Sequence, residues 1–211
     1  MKIGLCMFYD DVIKEYGDIN FKINKKYCEK YNIDLILSNQ PKYQNRRPTW
    51  ERLPLLLQNI ENYDYLIWID ADAFFYKDAT NIIDFIYQNK DIPFIFSNDI
   101  GDKNINAGFF IVKNSEYSIA FLNKWAYDED LYINNPNPKW QDQSVLISMI
   151  DQNILDINNN HISYPYGALQ QFGYESEKLE NDFKPFILHF AGRSFEDRVN
   201  ISNKYYNNHF C

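Results

Sequence analysis

The apolar run "YLIWID" ends at a pair of carboxylates, Asp70 and Asp72, separated only by Ala71. Two like charges held close together repel unless something positive lies between them. Residues i and i+2 of a strand point to the same side, so a strand continued through the triplet would present both carboxylates together. A hard divalent cation answers that charge. Mn²⁺ or Mg²⁺ favours oxygen ligands and keeps positions open for phosphate oxygens. Asp-x-Asp also occurs at turns and helix caps; the apolar run before this one favours the metal reading. A further ligand must come from elsewhere in the chain, and "FILHFAGR" offers His189 directly behind Phe186, Ile187 and Leu188. Gly192 and Arg193 follow it. A glycine lets backbone amides approach phosphate closely, and an arginine neutralises an oxyanion. His161 and His209 stand in polar surroundings and read as surface residues.

These side chains must be held by regular elements. "KIGLCMFY", "IDLIL", "YLIWID", "PFIFSND" and "AGFFIVKN" read as strands. Between them lie helical patterns. The first is capped by Asp18, with Ile19, Ile23, Tyr27 and Tyr31 on one face. The second, "TWERLPLLLQNIENY", has Thr49 as its cap and Pro54 as a local irregularity. "DATNIIDFIYQNK" puts Ile82, Ile83, Ile86 and Tyr87 on its apolar face. "SEYSIAFLNKWAYDE", capped by Ser115, and "WQDQSVLISMIDQ" complete the set. Strands alternating with helices predict an α/β fold over residues 1–211, a single domain with a mostly parallel central sheet flanked by helices. Ligands bind such sheets beyond the carboxyl ends of the strands, where Asp10, Asp70, Asp72 and His189 fall.

Composition narrows the function. The 211 residues suffice for one substantial core. A net charge of −8 opposes a broad nucleic-acid surface, which needs a positive footprint. It leaves room for a nucleotide pocket that meets phosphate through a metal. Cys6, Cys28 and Cys211 are too few and too scattered for a disulfide framework or zinc knuckle, which points to a reducing compartment. No stretch reaches membrane-spanning length, and the chain opens directly on a strand. The expectation is a soluble, cytoplasmic protein with no membrane span and no nucleic-acid partner.

"WIDADAFFYKD", "NAGFFIVKNS", "WQDQSVL" and "HFAGR" occur in the order seen in glycosyltransferases of the GT-A (Rossmann-like) fold. The chain most resembles the Golgi galactosyl-, mannosyl- and xylosyltransferase family. It is also similar to the retaining galactosyltransferase and glycogenin group. The matching blocks run from Thr49 to Arg193, and the first strand fits as well. The resemblance implies a hexosyl- or pentosyltransferase. Its donor would be a nucleoside diphosphate sugar, a UDP-sugar in preference, and its acceptor a glycan or other glycoconjugate. Mn²⁺ or Mg²⁺ would be the cofactor and retention the outcome.

Roles follow residue by residue. Asp72 would bind the metal, Asp70 would contact the donor ribose or share the metal, and His189 would be the third protein ligand. Phe8, Tyr9 and Asp10 would line the base pocket. Asn106, Ala107 and Gly108 would sit beside the donor sugar, and Asp142 and Gln143 near the anomeric carbon. Gly192 and Arg193 would meet the diphosphate. Arg52 stands at a donor-side position that is usually Lys in the family. Loops 39–48, 132–140 and 164–178 would select the acceptor. Two departures stand out: the sequence shows neither the family's N-terminal anchor nor its stem, which would leave Golgi residence unsupported and a viral or bacterial source plausible, and Arg193 replaces the usual Cys-Lys continuation. The alternative readings are a nucleotidyltransferase acting on sugar phosphates and a non-catalytic carbohydrate-binding module.

Overall fold

The computed structural model describes residues 1–102, 104–135, 137–172 and 185–211. Its first half runs β1 (Ile3–Phe8), α1 (Lys14–Tyr31), β2 (Asp34–Ser38), α2 (Arg52–Asn59), β3 (Tyr65–Ile69), β4 (Ala73–Phe75), α3 (Ile82–Gln88) and β5 (Phe94–Asn98). The second half runs β6 (Ile105–Lys113), α4 (Glu116–Tyr127), α5 (Glu129–Ile133), α6 (Asp142–Asp151), β7 (His161–Tyr164), β8 (Gln170–Phe172), β9 (Ile187–His189) and α7 (Phe195–Phe210). Six strands form the main sheet in the order β2-β1-β3-β6-β5-β7. Strand β6 runs antiparallel to both β3 and β5, and the remaining pairs are parallel. Five strands therefore point one way, as a mostly parallel sheet requires. A small second sheet, β4-β9-β8, stands at the side of the first.

Alternation along the strands divides the core. Leu66 and Trp68 of β3 pack on one face with Trp50, Leu53, Phe121, Trp125 and Met149 from α2, α4, α6 and the turn before α2. Tyr65, Ile67 and Ile69 pack on the other with Tyr16, Tyr27, Ile82 and Ile86 from α1 and α3. Phe110 is fully buried, with ring centroids 5.5 Å from Phe96 and 5.8 Å from Trp125. Burying one such side chain stabilises by about 1.5–3 kcal/mol. Cys6 and Cys28 sit in these cores as free thiols, and Cys211 is exposed. Among the described residues, no helix is long and apolar enough to cross a membrane.

Several local expectations need correction. Helix α1 begins a turn before Asp18, which is no cap; its carboxylate accepts from the Tyr9 hydroxyl at 2.9 Å and from Lys14 Nζ at 3.1 Å. Thr49 lies inside a 3₁₀ turn, Pro48–Glu51, that leads into α2. Pro54 falls in the first turn of α2, where a missing N–H costs no helical hydrogen bond. Tyr87 is 66% exposed, so Ile82 and Ile86 carry the buried face of α3. Ser115 caps α4 as expected, accepting from Ser118 N. His161 is half-buried on β7 against Phe96, whereas His209 is exposed.

Candidate functional site

Strand β3 stops at Ile69, and the chain turns at once: Ala73 N donates to the Asp70 carbonyl at 3.0 Å. The carboxylate pair therefore sits in a turn rather than on a continued strand. Its backbone is tied on both sides. Asp70 N donates to the Gly108 carbonyl at 2.8 Å, and the Asp72 carbonyl accepts from Phe190 N at 2.9 Å. After the turn, β4 pairs antiparallel with β9, which sets Ala73 opposite His189. This pairing brings the histidine to the carboxylates from far along the chain. His189 Nε2 stands 3.3 Å from Asp72 Oδ1 and 4.0 Å from Asp70 Oδ2. One ligand atom from each of the three residues lies within 4.8 Å of the others.

The β5–β6 pairing slips beside the site. Phe96 faces Phe110, but the next residue, Ser97, faces Asn106. Such irregularities re-aim side chains and often sit next to functional sites. Here the slip carries Gly108 against the histidine ring. A Cβ on Gly108 would come within 2.3 Å of His189 Cε1. The imidazole Nδ1 lies 3.0 Å from Gln170 Oε1.

Charge around the three residues is shared with two arginines. Arg198 of α7 places NH2 2.9 Å from Asp72 Oδ2, and its guanidinium lies 5.7 Å from the Tyr16 ring centre. Burial opposes a charge on Asp72, but His189 and Arg198 together hold its carboxyl below the usual carboxylate range. Burial equally opposes a charged His189, yet Asp72 and then Asp70 hold its pKa above the ordinary histidine value. Arg52 of α2 is almost fully buried between two carboxylates. NH2 lies 3.2 Å from Asp70 Oδ1, and Nε lies 2.9 Å from Asp142 Oδ2. Arg52 NH1 also donates to the Ala107 carbonyl. Trp68 Nε1 donates to Asp70 Oδ1 at 2.7 Å, which completes the anchoring of that carboxylate. Burial pushes Asp142 up to about 6, against the pull of Arg52.

These groups border a cavity of about 600 Å³. Phe8, Arg52, Asp70, Asp72, Asn106, Gln143, His189 and Gly192 all line it. Other expected residues stand back from it. Tyr9 is buried against α1, and Asp10 Oδ1 accepts from Val12 N. Ala107 N donates to Gln143 Oε1 at 2.9 Å, so Ala107 holds Gln143 from behind. Gly108 backs His189, and Asp142 backs Arg52. Arg193 N is bonded to the Phe190 carbonyl, and it is Arg198 that lines the cavity, five residues further on. Tyr16, Trp68, Gln170 and Arg198 were not singled out by sequence. Trp68 alone had a local signal, being an amphipathic residue two before Asp70. Of the loops expected to select an acceptor, 39–48 supplies Pro48, 132–140 supplies Lys139 and Trp140, and the last supplies Phe172. Its residues 173–178, with 136 in the middle loop, lie outside the described residues.

The architecture is the GT-A fold of glycosyltransferases, as solved structures of that class show. A glycosyltransferase involved in the glycosylation of the major capsid of PBCV-1 superimposes with a TM-score of 0.78 at 14% identity, covering 97% of this chain and all of that one. The galactosyltransferase LgtC, solved with donor and acceptor sugar analogues, gives a TM-score of 0.62 at 12% identity over 95% of each chain. The chain belongs to the family described as protein of unknown function, DUF273, whose model matches residues 24–162. Curated relatives include probable glycosyltransferase 2 of Oryza sativa subsp. indica, 25% identical over 79% of this chain and 42% of the relative. Xyloglucan 6-xylosyltransferase 4 of Arabidopsis thaliana is 23% identical over 79% of this chain and 39% of the relative. The chain thus spans less than half the length of these relatives. The resemblance read from the ordered motifs is borne out at the level of the fold.

Proposed function

We propose that this chain transfers a sugar from a nucleoside diphosphate sugar, preferably a UDP-sugar, to a hydroxyl of a glycan, with retention at the anomeric carbon. The observation that carries this reading is the convergence of Asp70, Asp72 and His189 on the wall of a cavity large enough for such a donor. Two carboxylates and one imidazole nitrogen suit Mn²⁺ or Mg²⁺, and the glycine at 108 leaves the imidazole the room it needs. Asp72 and His189 would hold the ion, with Asp70 as a third ligand or as a partner of the donor ribose. When bound, the ion supplies Lewis-acid stabilisation to the diphosphate.

The chain's own residues do the rest. Arg198 and the glycine at 192 line the cavity where the diphosphate would lie, and a guanidinium pairs well with phosphate oxygens. Phe8 offers an apolar face for the base. In transfer, the bond from the anomeric carbon to the phosphate oxygen breaks and its electron pair leaves with the diphosphate. The acceptor oxygen bonds to that carbon as its hydroxyl proton passes to the departing diphosphate oxygen. Gln143, held by Ala107 N, sits where it can stabilise the cationic sugar or position the acceptor. Asp142 and Arg52 act behind it, fixing Asp70.

A panel of nucleotide sugars with Mn²⁺, read by nucleoside diphosphate release, tests the proposal. Release should require the metal and should vanish in a folded Asp72→Asn variant. Release of pyrophosphate instead would mark a nucleotidyltransferase, and full activity of Asp72→Asn would sink the assignment.

A further inference from the structure

Helix α6 begins at the donor cavity, where Gln143 lines the wall, and runs away from it for ten residues, about 15 Å. Ser144, Ile147, Ser148 and Asp151 recur along it at the spacing of a single helical stripe. That stripe borders a hollow of about 240 Å³, whose near end is Trp140 and whose opposite side includes Asn104. A second hollow of about 200 Å³ continues from it, sharing Asn104, Ile147 and Asp151 and reaching Asn98 at the end of β5. Trp140 lines both the donor cavity and the first hollow, and 42% of its surface is exposed.

We propose that this trough along α6 is an acceptor groove for a neutral oligosaccharide, with one ring on the Trp140 indole and hydroxyls on Asn104, Ser148 and Asp151. The inference rests on the transferase reading above and extends it to the second substrate. Three observations carry it. The trough adjoins the donor cavity, with Trp140 lining both, so a chain lying in it has its end beside the reaction centre. Its polar side chains are carboxamides, hydroxyls, carboxylates and the imidazole of His161, groups that exchange hydrogen bonds with sugar hydroxyls. The exposed indole offers a flat apolar face with a polar edge. Asp102 and Asp151 line these hollows. An anionic acceptor would meet like charge there.

An array of neutral oligosaccharides and monosaccharides, probed with the whole chain in the presence of Mn²⁺ and UDP, tests this. Asp151→Ala removes an exposed carboxylate, and Ser148→Trp fills the trough. The wild-type chain should retain at least one neutral oligosaccharide, and both variants should bind it about tenfold more weakly or worse. The thermal shift produced by UDP with Mn²⁺ should be the same in all three proteins. No retention by the wild type, or equal retention by both variants, overturns the groove. The UDP shift reads the donor site separately. If it is absent while glycan binding still depends on Asp151, the transferase reading fails and the groove survives.

Discussion

The guanidinium of Arg198 stands 2.9 Å from Asp72 Oδ2, while His189 Nε2 stands 3.3 Å from the other oxygen of the same carboxylate. One acidic side chain is thus gripped by a helix and a strand from the C-terminal part of the chain. Arg198 also donates through Nε to the Phe190 carbonyl at 3.2 Å, so it fixes the segment that follows His189.

Removing that grip should cost stability. Arg198→Met leaves Asp72, with only 13% of its side chain exposed, short of a countercharge. A fully buried broken pair costs about 3–5 kcal/mol. Since Arg198 is itself 22% exposed, a loss of about 1–3 kcal/mol is expected after allowing for solvent screening. Urea denaturation measures it. Arg198→Lys should fall between, because it keeps the charge and loses the second contact.

Gly108 is required by contact, not by backbone freedom. Gly108→Ala would force the His189 ring away, since the added carbon would lie 2.3 Å from Cε1 and 2.9 Å from Asn106 Oδ1. Overpacking of this kind costs about 1–3 kcal/mol. The variant should fold yet lose most of the thermal shift produced by Mn²⁺. An undiminished shift would remove His189 from the ligand set.

Metal binding should strengthen as pH rises. Asp72 and Asp70 keep His189 protonated to higher pH than usual, against the effect of burial, and a ligating imidazole must first release that proton. Calorimetric titration with Mn²⁺ at about pH 6 and about pH 8 should show tighter binding at the higher value. Without metal the sign for stability is the reverse. The charged imidazole contributes fully below the unfolded pKa, and this is lost as pH rises through the folded one.

Asp142 makes a separate pH signature. Burial pushes its pKa up to about 6, with Arg52 lowering it and Asp70 raising it. Between the ordinary carboxylate pKa and that value, the folded state holds a proton that the unfolded state has released. Its contribution to stability is therefore greatest at acid pH and declines as pH rises to about 6, by on the order of 3 kcal/mol. Denaturation curves across this window should show the decline in the native chain and a flatter profile in Asp142→Asn.

Much of the site was legible because its signals are local. The apolar run before Asp70 marked a buried strand end, and Ser115 announced its helix. The block around Gln143 marked a helix start, which α6 fulfils. Other readings differed where one local pattern serves more than one use. Asp18 looked like a cap because capping is the commonest local use of such a residue, but the Tyr9 hydroxyl and Lys14 claim its carboxylate. Arg193 reads as a phosphate-facing cation because it follows Gly192; five residues further on, Arg198 reaches the site and lines the cavity. Arg198 follows Glu196 and Asp197 in a polar helix, where composition suggests only a solvated face.

The sequence by itself determined the alternation of strands and helices, the carboxylate pair at a strand's end and the histidine behind an apolar run, since burial periodicity and turn chemistry act between near neighbours. Only the tertiary structure decided that the pair lies in a turn, that the β4–β9 pairing sets His189 over it, and that Arg52, Arg198 and Gln170 hold the three residues in place. Those contacts join residues far apart in the chain. They exist because strand order and register, set by burying both faces of the sheet at once, carry distant side chains to one edge.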